Sequence, residues 1–144
     1  MTRVLLVHHD VDLADQEAHS LRRRGFEVQQ CMGPIGAECP VLARQRCELV
    51  AAADVLVYDA WATGEPGGSE ALIEGLRELH PDIPVVLCST SFEPAWVEIA
   101  GRHRVTPLVG APTGERLAAA IRQALAAAVA PLADDLEREA PIRV

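Results

Sequence analysis

The sequence has no lysine, and all 13 of its basic residues are arginine. Acidic residues are more numerous, so the 144-residue chain carries a formal net charge of -8 at pH 7. The one run of arginines, Arg22-Arg23-Arg24, suits the carboxyl end of a helix, where cations complement the helix dipole. Because there is no basic stripe, the charge pattern gives no support for nucleic-acid binding.

Long apolar runs are also missing, although 49% of the residues are hydrophobic. None approaches the ~18 residues that a membrane-spanning helix needs. The N-terminus shows no basic segment leading into an apolar stretch with a cleavage site. We therefore expect a cytoplasmic protein that does not enter a membrane. The motifs of a nucleophile elbow, a P-loop and a GxGxxG turn are absent as well, so the sequence predicts no enzyme.

The chain does contain a regular alternation of short apolar runs and helix signals, over a length that fits one domain. This pattern predicts one domain over 1–130 and a short charged tail over 131–144. The predicted strands lie at 4–7, 26–30, 55–58, 85–88 and 108–109. The predicted helices lie at 12–24, 48–53 and 69–79, from the cap Thr90 to Ala100, and from Thr113 to Pro131.

The alternation predicts an α/β fold, a three-layer sandwich around a five-stranded parallel sheet. Right-handed crossovers favour the strand order 2-1-3-4-5 of the flavodoxin-like arrangement. In such sheets the functional crevice lies beyond the carboxyl ends of the strands. The residues at those ends are His8, His9 and Asp10 after the first strand, Cys31 after the second, Asp59 after the third, Ser89 and Thr90 after the fourth, and Ala111 and Pro112 after the fifth.

Three segments at these ends resemble the receiver domain of bacterial response regulators. DVLVYDAWATGEPGG is similar to the family's third strand and places the phosphate-accepting aspartate at Asp59. PVVLCST resembles the fourth strand and places the switch hydroxyl at Ser89. PLVGAPT resembles the fifth strand and its turn, with Pro112 at the matching position. The resemblance covers residues 3–130.

The resemblance implies a signalling module that acts by binding a protein partner. The family's interaction face is formed by its fourth helix, fifth strand and fifth helix, and a homodimer through this face is one form of such binding.

The same comparison predicts that ordinary phosphorylation fails. Receiver phosphorylation uses magnesium, a hard cation that prefers oxygen ligands in an octahedron. His8 and His9 stand where the family has its acidic pair, and imidazole is a poor ligand for magnesium. Ala111 stands at the position of the phosphate-neutralising lysine, so an arginine would have to take over that role. We therefore expect a pseudo-receiver in which magnesium has no place.

Three cysteines suggest a different metal. Cys31, Cys39 and Cys47 recur at eight-residue spacing, and Cys31 is predicted beside the first strand. With His8 or His9, these thiols offer ligands for zinc or an iron–sulfur cluster. The spacing also fits cysteines that are structural or redox-active.

A continuous helix from Pro40 would argue against the metal. It would separate Cys39 and Cys47 by about 12 Å, too far for one ion or for a disulfide. The sequence thus leaves three functions open: a pseudo-receiver that binds a partner, a metal- or redox-sensing domain built on the cysteines, and a true phosphoacceptor at Asp59.

Overall fold

The computed structural model describes residues 1–8, 10–31, 40–41, 44–59, 67–89, 101 and 104–139, without the side chains of 67–71, 89 and 129–139. Its elements alternate between strand and helix along most of the chain. They are β1 (Arg3–Val7), α1 (Val11–Arg23), β2 (Glu27–Cys31), α2 (Glu48–Ala51), β3 (Val55–Asp59), α3 (Gly67–Leu79), β4 (Val85–Ser89), β5 (Val105–Val109) and α4 (Gly114–Glu139).

All five strands pair in parallel, in the order β2-β1-β3-β4-β5. This confirms the predicted α/β sandwich and its strand order. Val7 of β1 pairs with Cys31 of β2, and Asp59 of β3 pairs with Cys88 of β4. The carboxyl ends of neighbouring strands therefore lie side by side, which brings their last residues to a common edge.

The two faces of the sheet pack against different helices. Along β1, Val4 and Leu6 join the hydrophobic cluster under α1 and α4. Leu5 and Val7 point the other way and join the cluster under α2 and α3. Because side chains alternate along a strand, the residue after Val7 faces α1 and α4 again.

Helix α1 begins with a side-chain cap and ends at a glycine. Asp10 has an extended backbone, and its Oδ1 accepts a hydrogen bond from the N–H of Leu13 at 3.1 Å. Gly25 follows the helix with a φ of 95°, a conformation that glycine adopts without strain. The buried stripe of α1 consists of Ala14, Ala18 and Leu21. This short loop and cap fix the helix close to the end of β1.

The last helix corrects one expectation. We expected it to end at Pro131, whereas α4 continues to Glu139. Thr113 caps its start as predicted, since Thr113 Oγ1 accepts from the N–H of Arg116 at 3.3 Å. A proline removes one backbone donor, but the alanines and leucines around it are strong helix formers. The helix predicted from Thr90 to Ala100 lies outside the described residues.

The fifth strand is also longer than the predicted 108–109. Pro107, which the predicted strand left out, lies inside β5. β5 is at the edge of the sheet, however, and a proline is tolerated there because its missing N–H is not needed for pairing on the open side. Among the described residues, no helix combines the length and the apolar character needed to cross a membrane.

Candidate functional site

His8 lies directly after β1 and is almost fully buried, with 3% of its surface exposed. Its backbone N–H donates to the carbonyl of Cys31 at 2.9 Å, which continues the pairing with β2 by one residue. The N–H of Asp10 donates to Nδ1 of His8 at 3.0 Å. Because Nδ1 accepts a hydrogen bond, the neutral ring carries its proton on Nε2.

Two carboxylates lie at that Nε2. Glu17 Oε2 is 3.2 Å away and Asp59 Oδ2 is 3.4 Å away. The side chain of Asp59 is completely buried, and that of Glu17 is 10% exposed. One ligand atom from each of the three residues lies within 4.8 Å of the other two. The end of β1, the end of β3 and the middle of α1 therefore build one buried His–Glu–Asp cluster.

The cluster changes the proton affinity of its members. Burial raises the pKa of Glu17 to about 7, with the hydrogen bond to His8 opposing this rise and Asp59 adding to it. Burial lowers the pKa of His8, but the hydrogen bond to Glu17 and the negative charges of Asp59 and Glu17 together raise it by more. A second ring proton would lie on Nδ1 and face the N–H of Asp10. Protonating His8 therefore costs a hydrogen bond at the start of α1.

Cys88 lies beside the cluster in β4 and is completely buried, as the sequence predicted. Burial raises the pKa of its thiol well above the usual value, and the charges of Asp59 and Glu17 act in the same direction. The thiol therefore stays protonated, which makes Cys88 a packing residue rather than a nucleophile or metal ligand.

An arginine in the first turn of α4, which the sequence did not single out, binds the turn that follows β5. Arg116 donates hydrogen bonds to the carbonyls of Val109 and Ala111, the second at 2.8 Å. Gly110, with a φ of 90°, leaves room for this guanidinium. Ala111 itself is exposed. A cation thus lies at the turn where the receiver family has lysine, but its donors bind backbone carbonyls.

The structure brings together some of the predicted site residues. His8 and Asp59 are in contact, as expected for the carboxyl edge of the sheet. Ser89 ends β4 and pairs with Val109, so its backbone is at this edge. His9 and Cys39 lie outside the described residues.

Glu17 is the residue that sequence reasoning missed. It lies three residues after Ala14 and four before Leu21, on the buried stripe of α1. A single glutamate on an otherwise apolar stripe is a signal of a buried polar partner.

The metal ligands proposed from the sequence do not come together in the described part of the chain. Cys31 is paired with Val7 and packs, like Cys47, against the cluster under α2 and α3. His8 faces α1, on the other side of the sheet. Cys31 and His8 therefore lie on opposite faces of the sheet, and the alternative of Cys31 with His9 stays a prediction. None of Cys31, Cys47 and Cys88 forms a disulfide.

The receiver resemblance implies magnesium, and the donor set does not fit it. The cluster supplies an imidazole nitrogen where magnesium requires oxygen, and its side chains are nine-tenths buried or more. Magnesium keeps several of its water ligands, which a closed pocket of this kind excludes.

No family model and no curated protein matches the chain. Among solved structures, a pilus assembly-related protein of Burkholderia pseudomallei is 24% identical, with a TM-score of 0.69 over 88% of this chain and 91% of that one. Chemotaxis protein CheY4 of Vibrio cholerae is 18% identical, with a TM-score of 0.64 over 87% and 99%. A receiver domain protein of Methanospirillum hungatei is 15% identical, with a TM-score of 0.67 over 91% and 98%. The chain has the fold of response regulator receiver domains.

Proposed function

We propose that this chain is an atypical receiver-like signalling module that acts by binding a protein partner, without ordinary magnesium-dependent phosphorylation of Asp59. The contact between Asp59 and His8 is the observation that carries the proposal. A phosphoacceptor must present a carboxylate oxygen to the donor, whereas Asp59 Oδ2 lies 3.4 Å from His8 Nε2 in a completely buried side chain.

Charge supports the same conclusion. A phosphoryl group brings about two negative charges, and the pocket already holds the carboxylates of Glu17 and Asp59. Ala111 stands at the position of the family's lysine. Arg116 donates its hydrogen bonds to backbone carbonyls of the turn between β5 and α4. Phosphorylation would therefore add anionic charge to a pocket in which none of the described residues places a cation to neutralise it.

Acetyl phosphate with magnesium tests this directly. We expect the intact mass of the wild-type protein to stay unchanged, as for the Asp59→Asn control. Stoichiometric phosphate that Asp59→Asn loses would overturn the proposal and establish a true phosphoacceptor. A variant with Asp at positions 8 and 9 and Lys at position 111 should gain phosphorylation if the receiver alignment is correct.

The partner face that we propose includes β5 and α4. Val109 is 45% exposed at the edge strand, although it is large and apolar. Its neighbour Pro107 is exposed as well. Exposed apolar side chains on an edge strand are a common basis for association.

Sedimentation of the purified chain over a range of concentrations tests whether the partner is a second copy. We expect self-association that Val109→Glu weakens. Leu49→Glu is the matched control, because Leu49 is 38% exposed on α2, beside a groove lined by Glu27 of the opposite edge strand. Equal effects of the two substitutions would exclude β5 as the contact.

A further inference from the structure

The His–Glu–Asp cluster has two acidic side chains and a single imidazole to balance them. Two carboxylates share one imidazole, and the neutral ring has a single proton on Nε2 to donate. Oε1 of Glu17 is buried and has no hydrogen-bond partner among the described residues. Burying a carboxylate oxygen without a partner is costly, so such a site favours either an added proton or a cation.

The separations between the ligand atoms fit a metal ion. Bonds of 2.0–2.2 Å in a tetrahedral site place neighbouring ligand atoms about 3.3–3.5 Å apart. Nε2 of His8 lies 3.2 Å from Glu17 Oε2 and 3.4 Å from Asp59 Oδ2. One ligand atom from each side chain gives one nitrogen and two oxygens, and all three lie within 4.8 Å of one another.

We propose that His8, Glu17 and Asp59 bind a borderline divalent cation such as zinc in the pocket that the receiver fold uses for magnesium. One divalent ion neutralises both carboxylates and takes the nitrogen that magnesium disfavours. Glu17 comes from α1, outside the strand ends that the resemblance pointed to. The proposal rests on the receiver-like pocket, and it holds whether or not Asp59 is ever phosphorylated.

Binding has a defined cost at the first turn of α1. When Nε2 binds a metal, the ring proton has to move to Nδ1, and the N–H of Asp10 loses its acceptor. Asp10 also caps α1 through Oδ1. The residue that loses its hydrogen bond when the ion binds is therefore the residue that caps the helix. The amide resonances of Asp10 and Leu13 should therefore shift on binding, before those of residues farther along α1.

The experiment uses untagged, chelator-treated full-length chain titrated with zinc and, for spectroscopy, with cobalt(II). We expect one equivalent to bind, to raise the melting temperature, and to give cobalt absorption without a thiolate charge-transfer band. Glu17→Gln should abolish binding while preserving the fold, because glutamine keeps the shape and removes the buried charge. Asp15→Asn, an exposed carboxylate on the same helix, is the matched control and should bind like the wild type.

A variant with serine at Cys31, Cys39 and Cys47 separates this site from a cysteine site. It should retain zinc binding. The proposal is overturned if the folded wild type binds neither ion, if Glu17→Gln binds as well as the wild type, or if the triple serine variant loses binding. These outcomes are independent of the acetyl phosphate experiment, so the two proposals can fail separately.

Discussion

Two histidines that are buried in the described part of the chain lie at opposite ends of the sheet and have opposite surroundings. His8, at the carboxyl edge, has two carboxylates at Nε2. His80, after α3 at the amino edge, is 7% exposed and accepts a hydrogen bond from the N–H of Cys47 at Nε2, at 3.0 Å. One ring donates and the other accepts through the same atom. Burial alone therefore does not decide what a histidine does, whereas its partners do.

Their pKa values shift in opposite directions. Burial lowers the pKa of His80, and the positive charge of Arg46 lowers it further. The carboxylates around His8 outweigh the same effect of burial and raise its pKa. His80, at the amino edge, thus stays neutral, and its hydrogen bond links the end of α3 to the start of α2. The carboxyl-edge histidine belongs to a site that attracts positive charge.

The largest loss of stability should come from removing the imidazole ring of His8 at the carboxyl edge of the sheet. His8→Ala leaves Glu17 and Asp59 buried without their shared donor, and we expect a loss of about 3 kcal/mol in the free energy of unfolding. Urea denaturation at pH 7 measures it. His19→Ala, on the exposed side of α1, is the control and should change stability by less than about 0.5 kcal/mol. A small loss for His8→Ala would mean that the carboxylates do not depend on the ring.

A smaller effect is expected at the amino edge. His80→Ala removes the acceptor of the Cys47 N–H, and an unsatisfied buried donor costs about 1–3 kcal/mol. His80→Gln can place its amide oxygen near the position of Nε2 and should recover most of the loss. If glutamine is no better than alanine, packing rather than the hydrogen bond explains the role of His80.

A third effect is the dependence of stability on pH, and its sign separates the two edges. Because the folded pKa of His80 lies below the unfolded value of 6.5, the unfolded chain binds more protons, and stability falls as the pH drops from about 6.5 through the folded pKa. Glu17 has its pKa raised from 4.5 to about 7, so the folded chain binds more protons between these values and stability falls as the pH rises through them.

Denaturation in the presence of a chelator, from pH 5 to 8, can resolve these contributions. His80→Gln should remove the acid-side loss, and Glu17→Gln should remove the loss toward neutral pH. The two variants should therefore change the slope of stability against pH in opposite directions. If both variants change the slope of stability against pH in the same direction, His80 and Glu17 do not have opposite pKa shifts.

The fold followed from the sequence because local signals agreed with the topology. Five apolar runs separated by helix signals predicted the parallel sheet, and right-handed crossovers fixed its order. Boundaries were less accurate where one residue changed the pattern. Pro107 shortened the predicted fifth strand and Pro131 the predicted last helix, yet an edge position and an alanine-rich context accommodated each.

The site was predicted in part. Asp59 and His8 were placed together because both end strands at the same edge of the sheet. Glu17 was missed because a single glutamate on the apolar stripe of α1 indicates a buried polar partner without indicating which strand end supplies that partner. Cys31 and His8 lie on opposite faces of the sheet. Cys31 is in register with Val7, and side chains alternate along a strand, so the next residue, His8, points the other way.

The second half of helix α4 continues past its last described buried residue. Its described buried residues end at Ala124, with Leu125 partly buried, and the backbone stays helical to Glu139. At 1.5 Å per residue, the portion after Leu125 is about 21 Å long. A tilt of about 10° where α4 packs on the sheet would move the far end by roughly 4 Å over that length. A small tilt of α4 would therefore displace its far end by more than the length of a hydrogen bond.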